Sequence, residues 1–259
     1  MPKQKKSFFK QDYKAFHFFH WIFLMVIFSV VAFTVQNNFA DFRASVIPTK
    51  TAAPFDGTTV PILKVPDWTA LTSSEWDLAY DKIPTQKMIA FPTYDATVLA
   101  TPTEKLGWES TKDLNTRNAK ITFSTPYMGN YQLDGIEYGG SHLAVDIKVP
   151  MDTPVYAIAN GIIDKVSESD SGFGNHIVVK HENFPSLNDA NAKVTLYSSY
   201  SHLGKVLIGE GEVVTKGQLI GKSGESGTST TPHVHFQIDN DQAPWHPYWH
   251  FTSKEAADA

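Results

Sequence analysis

From about residue 116 onward the chain is cut every few residues by turn chemistry, and nothing between the cuts has helical spacing. The runs AKITF, HLAVDIKV, PVYAIA, GIIDKVSES, NHIVVKH, VTLYSSYSHL, EVVTKGQLIGK and HVHFQI are alternating or apolar. Between them lie SDSGFGN, NFPSLNDANA and SGESGTSTTP, rich in Gly, Ser, Asn and Pro. Short alternating runs with such breaks read as strands joined by turns. The sequence therefore predicts an all-β domain over 116–252, an antiparallel β-sheet of barrel or sandwich type, with a short tail at 253–259.

Chemistry enters that pattern at two places. GGSHLAVDI carries His142 and Asp146, and TPHVHFQI carries His233 and His235. Side chains alternate along a strand, so residues two or four apart share a face. His233 and His235 then point one way, and so do His142 and Asp146. Two imidazoles and one carboxylate fill three corners of a tetrahedral zinc site and leave the fourth open, as a catalytic zinc requires. The chain has no cysteine, so a transition metal must be held by His and carboxylates.

Local context favours this use of each residue. Asp146 stands between Val145 and Ile147, where a buried carboxylate is costly without a cation. Gly139 and Gly140 let the chain turn tightly before His142. Val234 and Phe236 belong to the core, which leaves the two neighbouring histidines on the other face. His202, at the end of the VTLYSSY run, suits a side chain reaching into a cleft. His176 is a candidate to line that cleft, whereas His181 is expected to be exposed. His246 and His250 fall in the aromatic, proline-broken stretch PWHPYWHF, expected to pack on the domain surface. The loops SDSGFGN, NFPSLNDANA and SGESGTSTTP are expected to wall a groove for an extended peptide.

The N-terminus differs from the rest. The net charge is −5, but the first 20 residues carry five lysines against one aspartate, leaving about −9 for the remainder. An acidic body without a basic stripe argues against nucleic acid as a partner. The basic residues 1–15 precede the apolar run FHFFHWIFLMVIFSVVAFTV, and residues 16–36 approach the ~20 needed to span a bilayer. Lysines before and few after put the N-terminus in the cytoplasm and the body outside it. The segment is expected to be a retained transmembrane anchor, with His17 and His20 interfacial. The protein would then be membrane-anchored with its folded domain in the periplasm or cell wall, or secreted if the segment is cleaved.

Residues 37–115 form the remaining segment. Stretches such as SVIPTKTAAPFDGTTVPILKVPDW lack periodicity and resemble an extended linker. Trp68, Trp76, Tyr80, Phe91, Tyr94 and Trp108 are too aromatic for a disordered one. A flexible stalk to about residue 65 is expected, followed by an irregular segment packed on the main domain.

Three other patterns fail on their spacing or context. GQLIGKS is one residue short of a phosphate loop, and no helix follows it. HENFP has Pro185 where H-E-x-x-H needs its second histidine. IIDKV, with Lys165, is similar to the lysine hairpin of lipoyl carrier domains, but such carriers have no use for a clustered histidine set.

Taken together, GGSHLAVDI, YSSYSHLG and GESGTSTTPHVHFQI resemble the lysostaphin-type (LytM-like) zinc metallopeptidases, over roughly residues 120–250. The run GEVVTKGQLIGKSGESG is also similar to that family. Ala144 stands where the family usually has glycine in H-x-G-x-D, a change that bears on the turn more than on the ligands. The resemblance implies a small β-sheet domain with a narrow groove. It implies zinc bound by His142, Asp146 and His235, with His202 and His233 catalytic and either one the general base. The implied activity is hydrolysis of peptidoglycan peptide cross-links by a metal-activated water. The alternative is a catalytically silent member that binds and regulates another wall hydrolase. Beyond peptidoglycan and, through residues 16–36, the membrane, the partners in view are cell-wall or division proteins.

Overall fold

A computed structural model of the chain describes residues 50–94, 120–125, 127, 142–186, 188–189 and 191–249. No helix among the described residues is long and apolar enough to cross a membrane. The expected anchor at 16–36, the tail at 253–259, Trp108 and His250 lie outside them.

The described part is built from antiparallel strands, with two short 3₁₀ turns at Tyr80–Lys82 and Thr85–Lys87. The strands are β1 (Lys64–Pro66), β2 (Met88–Ala90), β3 (Phe123–Thr125), β4 (Ala144–Lys148), β5 (Pro154–Tyr156), β6 (Gly161–Ser167), β7 (His176–Pro185), β8 (Lys193–Ser201), β9 (Leu203–Val206), β10 (Val213–Val214), β11 (Leu219–Ser223) and β12 (His233–Asn240). A seven-stranded sheet runs β10-β6-β7-β8-β12-β4-β3, a three-stranded sheet runs β5-β11-β9, and β1 pairs with β2.

Alternation divides the large sheet into two unlike faces. Ile147 on β4, Val234 on β12, Tyr200 on β8 and Ile177 and Val179 on β7 are buried in one apolar cluster. Val155, Leu203 and Ile220 from the small sheet complete that cluster, so the two sheets share a core as layers of a sandwich do. The opposite face carries Asp146, His233, His235 and Gln237. Register fixes this arrangement, since His235 lies directly across from Asp146 on one side and Ser201 on the other. Slipping either pairing by one residue would turn the polar row into the core.

Two expectations about chain segments need correction. The sequence places a flexible stalk up to about residue 65, but the structure packs the chain from residue 54. Ile62 and Val65 are fully buried in the main cluster, Thr59 N donates to the Ile158 carbonyl and Tyr156 N to the Pro61 carbonyl. These residues follow no period because each fills a separate gap. Of the later aromatics, Trp68 joins Leu71 and Ile83 in a second small cluster, and the Lys148 ammonium sits 4.2 Å from the Trp68 ring centre.

The second correction concerns β7, which runs on through NFP to Pro185. His181 is therefore inside a strand, on the same side as Ile177 and Val179, and it is 1% exposed rather than exposed. Its Nδ1 donates to the Asn160 carbonyl at 2.9 Å and its Nε2 meets the Ser198 hydroxyl at 2.8 Å.

Candidate metal centre

The polar face converges at one end of β4 and β12. His142 stands just ahead of β4, whose pairing with β12 stops at the Ala144–Gln237 rung. Asp146 and His235 face each other within the ladder. His142 Nε2 lies 3.1 Å from Asp146 Oδ1 and 3.2 Å from His235 Nδ1, and the latter two atoms are 3.1 Å apart. All three residues are buried, and they could hold a metal ion. Donors bound at about 2.0–2.1 Å around a tetrahedral zinc are about 3.3 Å apart, so this triangle is the right size for one face of that coordination. The chemistry fits too, with two imidazoles and one carboxylate turned to a common point.

Electrostatics at the triangle tell the same story. Burial alone would raise the Asp146 carboxyl, but His142 and His233 act on its charge and His142 and His235 hydrogen-bond to it. The balance holds it well below the ordinary carboxylate range. Burial pushes the His235 ring down, against the opposing pull of Asp146. A carboxylate that stays ionised beside a ring that stays neutral is the protonation pattern that metal ligation needs.

Two further imidazoles flank the triangle. His233 Nε2 is 3.7 Å from Asp146 Oδ1, and its Nδ1 donates to the Thr231 carbonyl at 2.7 Å. His202 follows β8 with a positive φ of 60°, an uncommon conformation for a non-glycine residue that is often found at functional sites. Its Nδ1 donates to the Ser226 carbonyl at 2.8 Å. With Nδ1 occupied as a donor, each ring keeps its lone pair on Nε2. Burial, followed by the neighbouring His233 and His235, pushes His202 well below the usual imidazole range, so the ring is held neutral.

The supporting residues were not singled out by motif. Asn175 ties its own loop to the 223–232 loop and to β9: its N donates to Ser226 Oγ, its Nδ2 to the Leu203 carbonyl, and its Oδ1 accepts from Ser169 N. Phe173 packs edge-on to His235 at 5.3 Å, and its carbonyl accepts from His202 N. Trp249, from the aromatic C-terminal stretch, lies 6.2 Å from the His142 ring. The sequence signal for these was the SDSGFGN loop itself. His176 also reaches this region, 6.0 Å from Phe173, with Nδ1 donating to the Gly174 carbonyl.

Of the three expected wall loops, two stand at the site. Phe173 of SDSGFGN and Ser226 and Thr231 of SGESGTSTTP make the contacts just given. NFPSLNDANA does not, because it closes the far end of the β7–β8 hairpin, about 30 Å along β7 from His176. Its Phe184 packs on Phe55 instead, with ring centres 4.4 Å apart.

Residues 140–247, which contain all five clustered side chains, match the model of peptidase family M23. This chain carries an M23 peptidase domain. It is 33% identical over 97 residues to the peptidoglycan DD-endopeptidase ShyA of Vibrio cholerae, covering 38% of this chain and 20% of that protein. It is 36% identical over 129 residues to lysostaphin of Staphylococcus simulans, covering 47% of this chain and 24% of that protein. With the glycyl-glycine endopeptidase ALE-1 of Staphylococcus capitis it shares 35% identity over 127 residues, or 46% of this chain and 32% of that protein. The chain spans a third or less of the length of each of these relatives.

Proposed function

We propose that this M23 protein is a zinc-dependent endopeptidase that hydrolyses peptide cross-links of bacterial peptidoglycan. The observation that carries this reading is the donor triangle of His142, Asp146 and His235, with the Nε2 atoms of two carbonyl-pinned imidazoles beside it. Two of the relatives are a DD-endopeptidase and a glycyl-glycine endopeptidase, both acting on peptide bonds, which supports the substrate class.

Bound by His142, Asp146 and His235, zinc would supply Lewis acidity to polarise the scissile carbonyl and acidify a water. The chain's own groups do the rest. One of His202 and His233 accepts the water's proton at Nε2, which general-base catalysis requires to lie within hydrogen-bond reach. The other, once protonated, donates to the developing oxyanion or to the leaving amine. Ser226 and Thr231 hold the two rings by their Nδ1 protons through the cycle. Phe173 and Trp249 pack edge-on around the His235 and His142 rings and help hold them in place.

The M23 domain at 116–252 would be carried on the segment 37–115 from an anchor at 16–36, with residues 1–15 cytoplasmic. Its location would then be the periplasm or cell wall, or the medium if the segment is cleaved. The basic start followed by an apolar run supports that topology.

Intact peptidoglycan incubated with the purified full chain in detergent, and then analysed by mass spectrometry of the released peptides, tests the activity. Loss of cross-linked species in the presence of zinc, and none with a chelator, is the expected result. Wall binding without any cleavage would turn the reading to a silent regulator of another hydrolase.

A further inference from the structure

The imidazole of His235 has two nitrogens, and only one faces the donor triangle. His235 Nδ1 is the nitrogen near Asp146 and His142, while Nε2 points the other way, 3.2 Å from Gln237 Oε1. Which of the two carries the proton decides whether a lone pair is available to a metal.

Gln237 settles that question through its own partners. It is 1% exposed and lies two residues along β12 from His235, on the same face. Its Nε2 donates to Asp239 Oδ1 at 2.7 Å and to the Tyr248 carbonyl at 2.8 Å. Both are acceptors, so the amide NH₂ must face them and Oε1 must face His235. An amide oxygen can only accept, which requires a proton on His235 Nε2.

The amide is held in turn from outside the strand. Tyr248 offers its carbonyl to Gln237 and its own N–H to Asp239 Oδ2 at 3.1 Å. His246 Nδ1 approaches the same Oδ2 at 3.3 Å, while its ring stacks on Tyr197 with centres 3.7 Å apart. One residue of the C-terminal stretch, through its N–H and its carbonyl, thus clamps two successive inward-facing residues of β12.

We propose that Gln237 is a positioning residue that fixes His235 as the Nε2-protonated tautomer, and that Asp239 and the Tyr248 backbone lock Gln237 in the orientation this requires. The lone pair on His235 Nδ1 is then presented to the metal before any metal arrives. Partners of this kind orient a ligating histidine and raise its basicity. The inference rests on the metal-binding reading of the triangle but not on the peptidase reading. A protein that binds zinc without cutting peptidoglycan would leave it intact.

The test uses the full chain in detergent, stripped of metal, with long-range ¹H–¹⁵N correlation of the histidine rings and zinc affinity measured by chelator competition. The wild type is expected to show His235 protonated at Nε2. Gln237→Leu, which keeps the bulk and removes the acceptor, is expected to lose that signature and to bind zinc about 10–100-fold more weakly. Asp239→Ala frees the amide to rotate and gives a smaller loss in the same direction, which covers the case in which Gln237→Leu does not fold. Ile238→Ser, on the opposite and half-exposed side of the strand, leaves both readouts unchanged. A wild-type His235 with an unprotonated Nε2 overturns the proposal, as does a folded Gln237→Leu chain with unchanged zinc affinity.

Discussion

His202 and His233 lie ring against ring, centroids 4.6 Å apart and inclined at 45°, and each is pinned at Nδ1 by a carbonyl from the same 223–232 loop. One loop therefore sets the tautomer of both rings and the distance between them. Replacing either ring with alanine should reduce kcat between about a hundredfold and ten-thousandfold, the range of a lost general acid or base. Zinc content should stay stoichiometric, because neither ring belongs to the donor triangle. Atomic-emission metal analysis alongside cleavage assays checks both halves.

The donor triangle should couple metal to stability. Zinc at about 100 times its Kd stabilises a folded protein by about 2.7 kcal/mol, which for a domain of this size raises Tm by roughly 5–10 °C. Chelation should remove that increment in calorimetry. Asp146→Ala should abolish it, with the variant's Tm insensitive to added zinc.

Gly174 and Gly227 meet backbone to backbone where the 169–175 and 223–232 loops touch. A methyl on Gly174 would collide with the Ser226 carbonyl, the group that holds His202, and its φ of +62° disfavours any L side chain. Gly174→Ala should cost about 1–3 kcal/mol in urea unfolding, the size of comparable backbone strain. It should also lower kcat while zinc affinity is retained, since the displaced loop serves His202 rather than the ligands.

Ile62 tests whether the segment before the M23 match is part of the fold. Its side chain is fully buried among Ile147, Val155 and Val234. Ile62→Ala should destabilise the chain by about 2–5 kcal/mol. A loose linker residue would give no measurable change in the denaturation midpoint.

His181 should contribute to acid sensitivity. Burial pushes its ring below the ordinary imidazole value, against the bond it donates to Asn160. As pH falls through about 6.5 the unfolded chain takes up a proton there that the folded chain resists, so stability is lost on that side and preserved above it. His181→Gln should make stability less steep below pH 6.5, by up to about 1.4 kcal/mol per pH unit. Unfolding free energies measured across pH 5–8 on both chains decide it.

Much of this architecture was readable because alternation is a local signal. HVHFQI and AVDIK announce their own faces: Val234, Phe236, Val145 and Ile147 on one side, His233, His235 and Asp146 on the other. What escaped the sequence depends on partners far along the chain. His181 is buried because Asn160 and Ser198, 21 and 17 residues away, satisfy its two nitrogens. Ile62 and Val65 are core residues in a proline-broken stretch with no period to reveal them. The hold of Tyr248 on Gln237 and Asp239 is made by backbone atoms, which carry no residue code at all.

The division of the large sheet into an oily side and a side bearing imidazoles has an evolutionary meaning. Cohesion and reactivity reside in alternate letters of the same strands, so each can drift without dragging the other. Descendants of such a sheet could remake its polar face by rewriting every second position while inheriting an unaltered scaffold.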